Sequence, residues 1–154
     1  MMRAHGSAIE RLFQTAALSL SALFVMAPAA RAEDRAFAQE KLDLAQGTLD
    51  SARETYGADS AETTVSLMNL ARVKKEQGDY QQAVFLYRQS GAMAEKLSDP
   101  EDPFLLAIFN GLASTYEVMR KYAAADAVYE EVRYRGYPEW ADQMEFRADT
   151  MRQV

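Results

Sequence analysis

The sequence predicts an all-α protein built from antiparallel helical hairpins, and three observations support this. Good helix-forming residues dominate, whereas the alternating Val, Ile and Thr that are typical of strands are missing. Apolar residues recur at helical spacing, as in Phe104, Ile108, Leu112 and Tyr116. Only seven glycines and four prolines interrupt the chain, and several of them stand between the apolar segments. Successive helices joined by such short turns pack antiparallel.

The first 32 residues are typical of a secretory signal peptide. Arg3 and Arg11 lead into a mostly apolar run over residues 12–27, Pro28 ends the run, and Ala30-Arg31-Ala32 has the small residues of a cleavage site. The run is shorter than the roughly 20 residues that span a bilayer. We therefore expect export across the inner membrane to a periplasmic location. The alternative is an uncleaved anchor, which would be the only membrane attachment.

The remaining residues, 33–154, form the predicted helical domain. They contain 14 Lys and Arg against 22 Asp and Glu, which leaves a formal charge of −8. Such an acidic surface argues against nucleic acid and anionic membranes as partners. The chain has no cysteine, and its one histidine is His5. Residues 33–154 therefore offer no thiolate or imidazole ligand for a metal and no base for a nucleophilic triad, so we predict neither a catalytic site nor a cofactor.

The domain divides into two hairpins with one helix on either side. Asp59, with Glu62 three residues later, is predicted to cap the first hairpin, and Gly78 supplies its turn. Asp79 is predicted to cap the second helix of that hairpin, and Pro103 to open the next hairpin. The predicted elements are a flanking helix over 34–56, hairpins over 59–98 and 102–135, and a last helix over 138–152.

The two hairpins repeat with an offset of 42 residues. Small residues recur where two helices must approach closely, and large residues recur where the space between hairpins must be filled. The matching positions are Leu70 and Leu112, Ala71 and Ala113, Tyr80 and Tyr122, Ala83 and Ala125, Leu86 and Val128, and Tyr87 and Tyr129. In the helix upstream, Leu44 aligns with Leu86.

The segments Asn69-Leu70-Ala71 and Gln77-Gly78-Asp79-Tyr80, followed by Ala83 and Leu86-Tyr87, resemble the tetratricopeptide repeat (TPR). The 42-residue period and the acidic loop with proline resemble its kinesin-light-chain-type variant. The resemblance covers about residues 34–132, and it departs from the motif where Arg120 replaces the turn glycine. It implies a short right-handed solenoid that binds other proteins and is not an enzyme.

In TPR proteins the first helix of each hairpin lines a concave groove, so the resemblance also implies a binding site. Its candidate residues share one face of each helix: Asn69, Arg72, Lys75, Asn110, Ser114 and Glu117. Arg72 and Lys75 form a basic spot on an acidic protein, which favours an acidic segment or a C-terminus as ligand. The alternative is that these residues are ordinary solvated surface.

Other readings of the same residues stay open. Glu130 and Glu131 are expected to be solvated, although paired carboxylates could serve a hydrolase or a small-ligand site. The acidic loop with Asp99, Glu101 and Asp102 could suggest calcium, but its spacing does not fit a helix-loop-helix calcium site.

Two features of the sequence could instead serve protein contacts. The aromatic cluster Tyr134, Tyr137 and Trp140 could either cap the stack or contact a partner. The array is near the minimum size of about three repeats, so a homodimer or a self-assembling structural role is an alternative.

Overall fold

The computed structural model describes residues 32–97 and 103–152, and no strand occurs in these two ranges. Six helices account for nearly all of them. They are α1 (32–56), α2 (Ala61–Glu76), α3 (Tyr80–Leu97), α4 (Pro103–Val118), α5 (Tyr122–Tyr134) and α6 (Pro138–Arg152). In these residues no helix is long and apolar enough to cross a membrane. Most of the predicted signal peptide, residues 1–31, lies outside the described residues, as does the acidic loop.

The contacts divide the chain into two units, residues 1–40 and Lys41–Val154. In the first unit, the described residues 32–40 are helical. The second unit holds the rest of α1, the helices α2–α6 and the hydrophobic core. Within it, each of α2–α5 contacts the next helix in the chain, and α2 also contacts α4, as α4 contacts α6. This arrangement confirms the predicted all-α solenoid of stacked helical hairpins.

The repeated small residues lie where the sequence placed them. Ala71, Ala83, Ala113 and Ala125 are fully buried, because a larger side chain would separate the two helices of each hairpin. The large residues Leu70, Leu112, Tyr87 and Tyr129 are buried as well. The helix α4 buries a second apolar stripe that the sequence analysis did not single out, formed by Leu105 and Phe109.

The turn inside each hairpin has one geometry in both repeats. Gly78 has φ +82° and Arg120 has φ +57°, so both lie in the left-handed region. In each case the backbone N–H of the following residue donates a hydrogen bond to a carbonyl oxygen in the last turn of the helix. Asp79 donates to Lys74 and Lys121 donates to Tyr116, both at 2.9 Å. The second turn therefore keeps the conformation of the first without its glycine.

The helix α2 differs from the prediction at two points. Its N-cap is Ser60 and not Asp59, because the Ser60 hydroxyl accepts the Thr63 backbone N–H at 3.1 Å. Val65, which the sequence groups with Leu67, Leu70 and Val73 in one apolar stripe of this helix, is exposed. The expected cap of α3 is confirmed, since Asp79 accepts the Gln82 backbone N–H at 3.4 Å.

Hydroxyl side chains occupy part of the buried face of α2. Thr63 and Thr64 are almost fully buried, and their hydroxyls donate to the Gly57 and Ser60 carbonyl oxygens at 2.7 and 2.9 Å. From α3, the fully buried Ser90 donates to the Thr64 carbonyl oxygen at 3.0 Å. Each hydroxyl is buried at little cost because it finds a backbone acceptor.

Candidate functional site

Three of the candidate residues on α2 and α4 meet where these two helices contact each other. The Lys75 Nζ donates to the Ser114 Oγ at 2.7 Å, and the Ser114 Oγ donates to the Asn110 carbonyl oxygen at 2.7 Å. The structure therefore brings together three of the six predicted residues. Lys75 and Ser114 are both half-buried, which restricts the positions that the ammonium group can occupy.

Asn69 and Arg72 lie beside α1. Both line a groove of about 300 Å³ between α1 and α2, near the end formed by Lys41 and Glu76. The Arg72 guanidinium donates to Glu76 at 3.0 Å, and the other Glu76 oxygen lies 3.3 Å from the Lys41 ammonium. Two cations thus share one carboxylate at this end of the groove.

Glu117, the last residue of the predicted set, faces α5. Its carboxylate accepts a hydrogen bond from the hydroxyl of Tyr129, a side chain that is almost fully buried. The bond anchors α5 on α4. The six predicted residues are therefore distributed over the α2–α4 contact, the α1–α2 groove and the α4–α5 contact.

The α1–α2 groove continues toward the loop that joins the two helices. This part has a volume of about 670 Å³, and its lining combines small residues with exposed apolar ones: Leu44, Gly47, Thr48, Ser51, Tyr56 and Val65. The sequence analysis did not identify this groove. The alignment of Leu44 with Leu86 could have revealed it. Leu44 is an apolar residue on the face of α1 that corresponds to the buried face of α3.

A second site missed from the sequence lies among α3, α4 and α5. Arg135 follows α5, and its guanidinium donates to Glu95 at 2.6 Å and to Glu131 at 2.8 Å. It also lies 5.3 Å above the ring of Phe109. The hydrogen bond that Arg135 donates to Glu131 raises the pKa of Arg135, while burial opposes this shift. Glu95, Phe109 and Glu131 line a cavity of about 270 Å³, so Arg135 holds together one wall of it.

The remaining candidates are placed as follows. In the described part of the chain, no three carboxylate or histidine side chains are grouped as a metal site. The three acidic residues considered for calcium fall outside that part. Glu130 and Glu131 are exposed and pair with Arg133 and Arg135. Of the C-terminal aromatic residues, Tyr137 and Trp140 pack against the core, whereas Tyr134 is 94 % exposed.

Comparison with protein families matches residues 36–96 to the tetratricopeptide repeat. The matched segment runs from α1 through α2 and α3. Comparison with curated proteins gives no match. Repeats of this family generally mediate protein–protein interaction, and the family is typically non-enzymatic. The all-α stack and the family match agree, and residues 36–96 of this chain are similar to the tetratricopeptide repeat.

Proposed function

We propose that this protein is a non-enzymatic adaptor that is exported and holds a protein partner within a cell-envelope assembly. The observation that carries the proposal is the match of residues 36–96 to the tetratricopeptide repeat, together with the contact between α2 and α4, which are joined through Lys75 and Ser114. Two parallel rows of side chains on neighbouring helices form a surface on which an extended peptide can lie.

The ligand we propose is an acidic segment or a C-terminal carboxylate. Arg72 and Lys75 lie three residues apart on α2, and Asn110 and Ser114 lie on the facing part of α4. A carboxylate placed here would accept a charge-assisted hydrogen bond from Lys75, and the nearby charge of Arg72 would add to the attraction. The whole chain has a formal charge of −6, so this local basic spot would also orient an acidic ligand on approach.

We further propose that the repeat is the longer, kinesin-light-chain-type variant. The helices α2 and α4 begin at Ala61 and Pro103, which are 42 residues apart. A shorter repeat would leave no room for the acidic segment between α3 and α4. The matching burial of Leu70 with Leu112 and of Ala83 with Ala125 is consistent with this spacing.

Binding can be tested by fluorescence anisotropy, with an acidic peptide that ends in a free carboxylate. We expect the double substitution R72A/K75A to weaken binding about tenfold or more, since the lost charge-assisted bond from Lys75 alone contributes about 1.5–3 kcal/mol. The matched control is K96A/K121A, which removes two exposed cations from α3 and from the start of α5. Equal weakening in both double variants would mean that binding depends only on net charge and that the site is not on α2.

The same pair of variants identifies the partner in the cell. We expect affinity capture from an envelope extract to recover one stoichiometric protein with the wild-type chain and with K96A/K121A, but not with R72A/K75A. If R72A/K75A still captured that protein, the partner would bind another surface of the stack.

Export has its own test. We expect the protein recovered from the periplasmic fraction to begin at Glu33, as N-terminal sequencing can determine. A full-length chain in the membrane fraction would indicate the uncleaved anchor, and a full-length chain in the cytoplasm would rule out export.

A further inference from the structure

One helical position recurs in α1, α3 and α5 with very different exposure. Leu44, Leu86 and Val128 are each 42 residues apart, and their exposed fractions are 71 %, 8 % and 7 %. The neighbouring position behaves in the same way, because Thr48 is exposed whereas Ser90 and Val132 are fully buried. The face that α3 and α5 bury is therefore open to solvent on α1.

In α3 this face binds the preceding helix. Ser90 donates to the Thr64 carbonyl oxygen of α2, and Leu86 belongs to the same buried cluster as Leu70. The corresponding face of α1 borders the α1–α2 groove, whose lining includes Leu44, Thr48 and Val65. The groove follows α1 from Lys41 to Tyr56, a length of about 22 Å at 1.5 Å per residue. A groove of this length and chemistry accommodates one helix.

We propose that the helix that covers this groove is α1 of a second copy of the chain, docked antiparallel about a twofold axis between Gly47 and Thr48. Leu44, Gly47, Thr48 and Ser51 share one face of α1, and all four are exposed. The antiparallel arrangement places Leu44 opposite the partner's Ser51, so a large side chain meets a small one at both ends of the interface. Gly47, beside the axis, has no atom near the position of an added Cβ, which leaves room for the partner helix.

The charges on the same face agree with this orientation. The twofold axis places Lys41, which pairs with Glu76 in its own chain, opposite the partner's Glu54, and both Lys41 and Glu54 are exposed. Symmetry produces this pairing twice in the dimer. In a parallel arrangement Lys41 would instead lie beside the partner's Lys41 and Glu54 beside the partner's Glu54, so like charges would repel each other.

The size of the face determines the strength of the dimer. Two faces about 22 Å long and about 20 Å wide bury on the order of 900 Å² in total, at the low end of specific interfaces. The dimer should therefore dissociate at micromolar concentration. Because Lys75 and Ser114 lie on the α2–α4 contact, the dimer leaves that part of the proposed peptide surface open, although it runs along the groove that Asn69 and Arg72 line. The dimer does not depend on the adaptor function.

The first test is sedimentation equilibrium of the full chain over a wide range of concentrations. We expect Leu44→Asp to weaken dimerisation at least tenfold, because it places a carboxylate in an apolar contact. The control is Phe85→Asp, which makes the same kind of change at another exposed apolar residue, on α3 (62 % exposed). Both variants retain residues 1–32, so any association through that segment would affect them equally. A monomeric wild-type chain at several hundred micromolar, or equal effects of the two variants, would overturn the proposal.

A charge exchange tests the orientation. Lys41→Glu and Glu54→Lys should each weaken the dimer up to about fivefold, whereas the two substitutions together should recover most of the loss, the remainder being the lost pair of Lys41 with Glu76. Failure of the double variant to recover would overturn the antiparallel pairing.

The absence of cysteine permits a second check. Thr48→Cys should be linked to its partner by a short bis-maleimide within minutes, and the exposed control Gln81→Cys should not. Linking of the two variants at the same rate would contradict a twofold axis at this position.

Discussion

The Lys75 Nζ and the Ser114 Oγ lie 2.7 Å apart, so one hydrogen bond joins the first helix of one repeat to the first helix of the next. The Ser114 hydroxyl uses its own proton for the Asn110 carbonyl oxygen and receives the lysine as a donor. Because both side chains are half-buried, the bond fixes how α2 and α4 are placed side by side.

A double-mutant cycle should measure this bond. We expect Lys75→Met and Ser114→Ala to show a coupling free energy of about 1 kcal/mol in urea unfolding, typical of a hydrogen bond at a partly buried site. The exposed pair Arg72 and Glu76 serves as the comparison and should give at most about 0.5 kcal/mol. A coupling near zero for Lys75 and Ser114 would show that the two helices are placed by apolar packing alone.

A methyl group at Gly111 should be poorly tolerated. An added Cβ would lie 2.5 Å from the ring carbon Cζ of Tyr87, which is buried and cannot move freely. We expect Gly111→Ala to lower the free energy of unfolding by about 1–3 kcal/mol. Gly91→Ala is the control, since its nearest neighbour is the Ile108 Cγ2 at 3.6 Å, an ordinary contact.

The cause of that loss can be checked with a second substitution. Tyr87→Leu removes the obstructing ring, so adding Gly111→Ala to it should cost much less than adding Gly111→Ala to the wild type. An unchanged cost would mean that the clash is not with Tyr87.

A glycine at position 120 should stabilise the protein. Arg120 has φ +57°, and a left-handed conformation costs a residue with a side chain roughly 1 kcal/mol relative to glycine. We expect Arg120→Gly to raise the melting temperature by several degrees, measured by circular dichroism. Gly78→Ala, at the equivalent turn, should lower it by a similar amount. A decrease on Arg120→Gly would indicate that the arginine side chain stabilises the turn.

Alkaline pH should weaken the fold through Tyr87. Burial raises the pKa of the Tyr87 hydroxyl, the charge of Arg72 opposes the shift, and the charge of Glu76 adds to it. The folded state thus favours the neutral form, and the resulting stability is complete below the ordinary tyrosine pKa of about 10 and is lost as the pH rises through the higher folded value. Urea unfolding between pH 8 and 11 should show a steeper decline for the wild type than for Tyr87→Phe. Parallel curves would assign the decline to other groups.

The repeat could be predicted from the sequence because it depends on side-chain size at fixed intervals. Ala83 and Ala125, or Tyr87 and Tyr129, carry the same steric information in both repeats. The conformation of Arg120 could not be predicted in this way, because the surrounding helices impose it against the residue's own preference. The N-cap of α2 is Ser60 and not the predicted Asp59 for a similar reason. Both residues suit the position, and the exact start of α2 depends on its packing.

The candidate site was predicted less completely than the fold. Spacing along α2 places Asn69, Arg72 and Lys75 near one face, but it cannot determine which neighbouring helix each side chain reaches. Lys75 extends to α4, and Arg72 lies in the groove with α1. The α1–α2 groove was missed because an isolated repeat unit gives no information about which of its faces remains uncovered.

The order of contacts among α2–α6 determines how these helices open. Each contacts only helices one or two places away in the chain, and α4 is the only one of the five that contacts the other four. Opening of α6 therefore leaves the contacts of α2 with α3 undisturbed, whereas opening of α4 removes support from all of its neighbours. Backbone amides of α4 should exchange with deuterated solvent only on global unfolding. The protection of backbone amides should fall stepwise from α4 through α5 to α6, because α6 opens first.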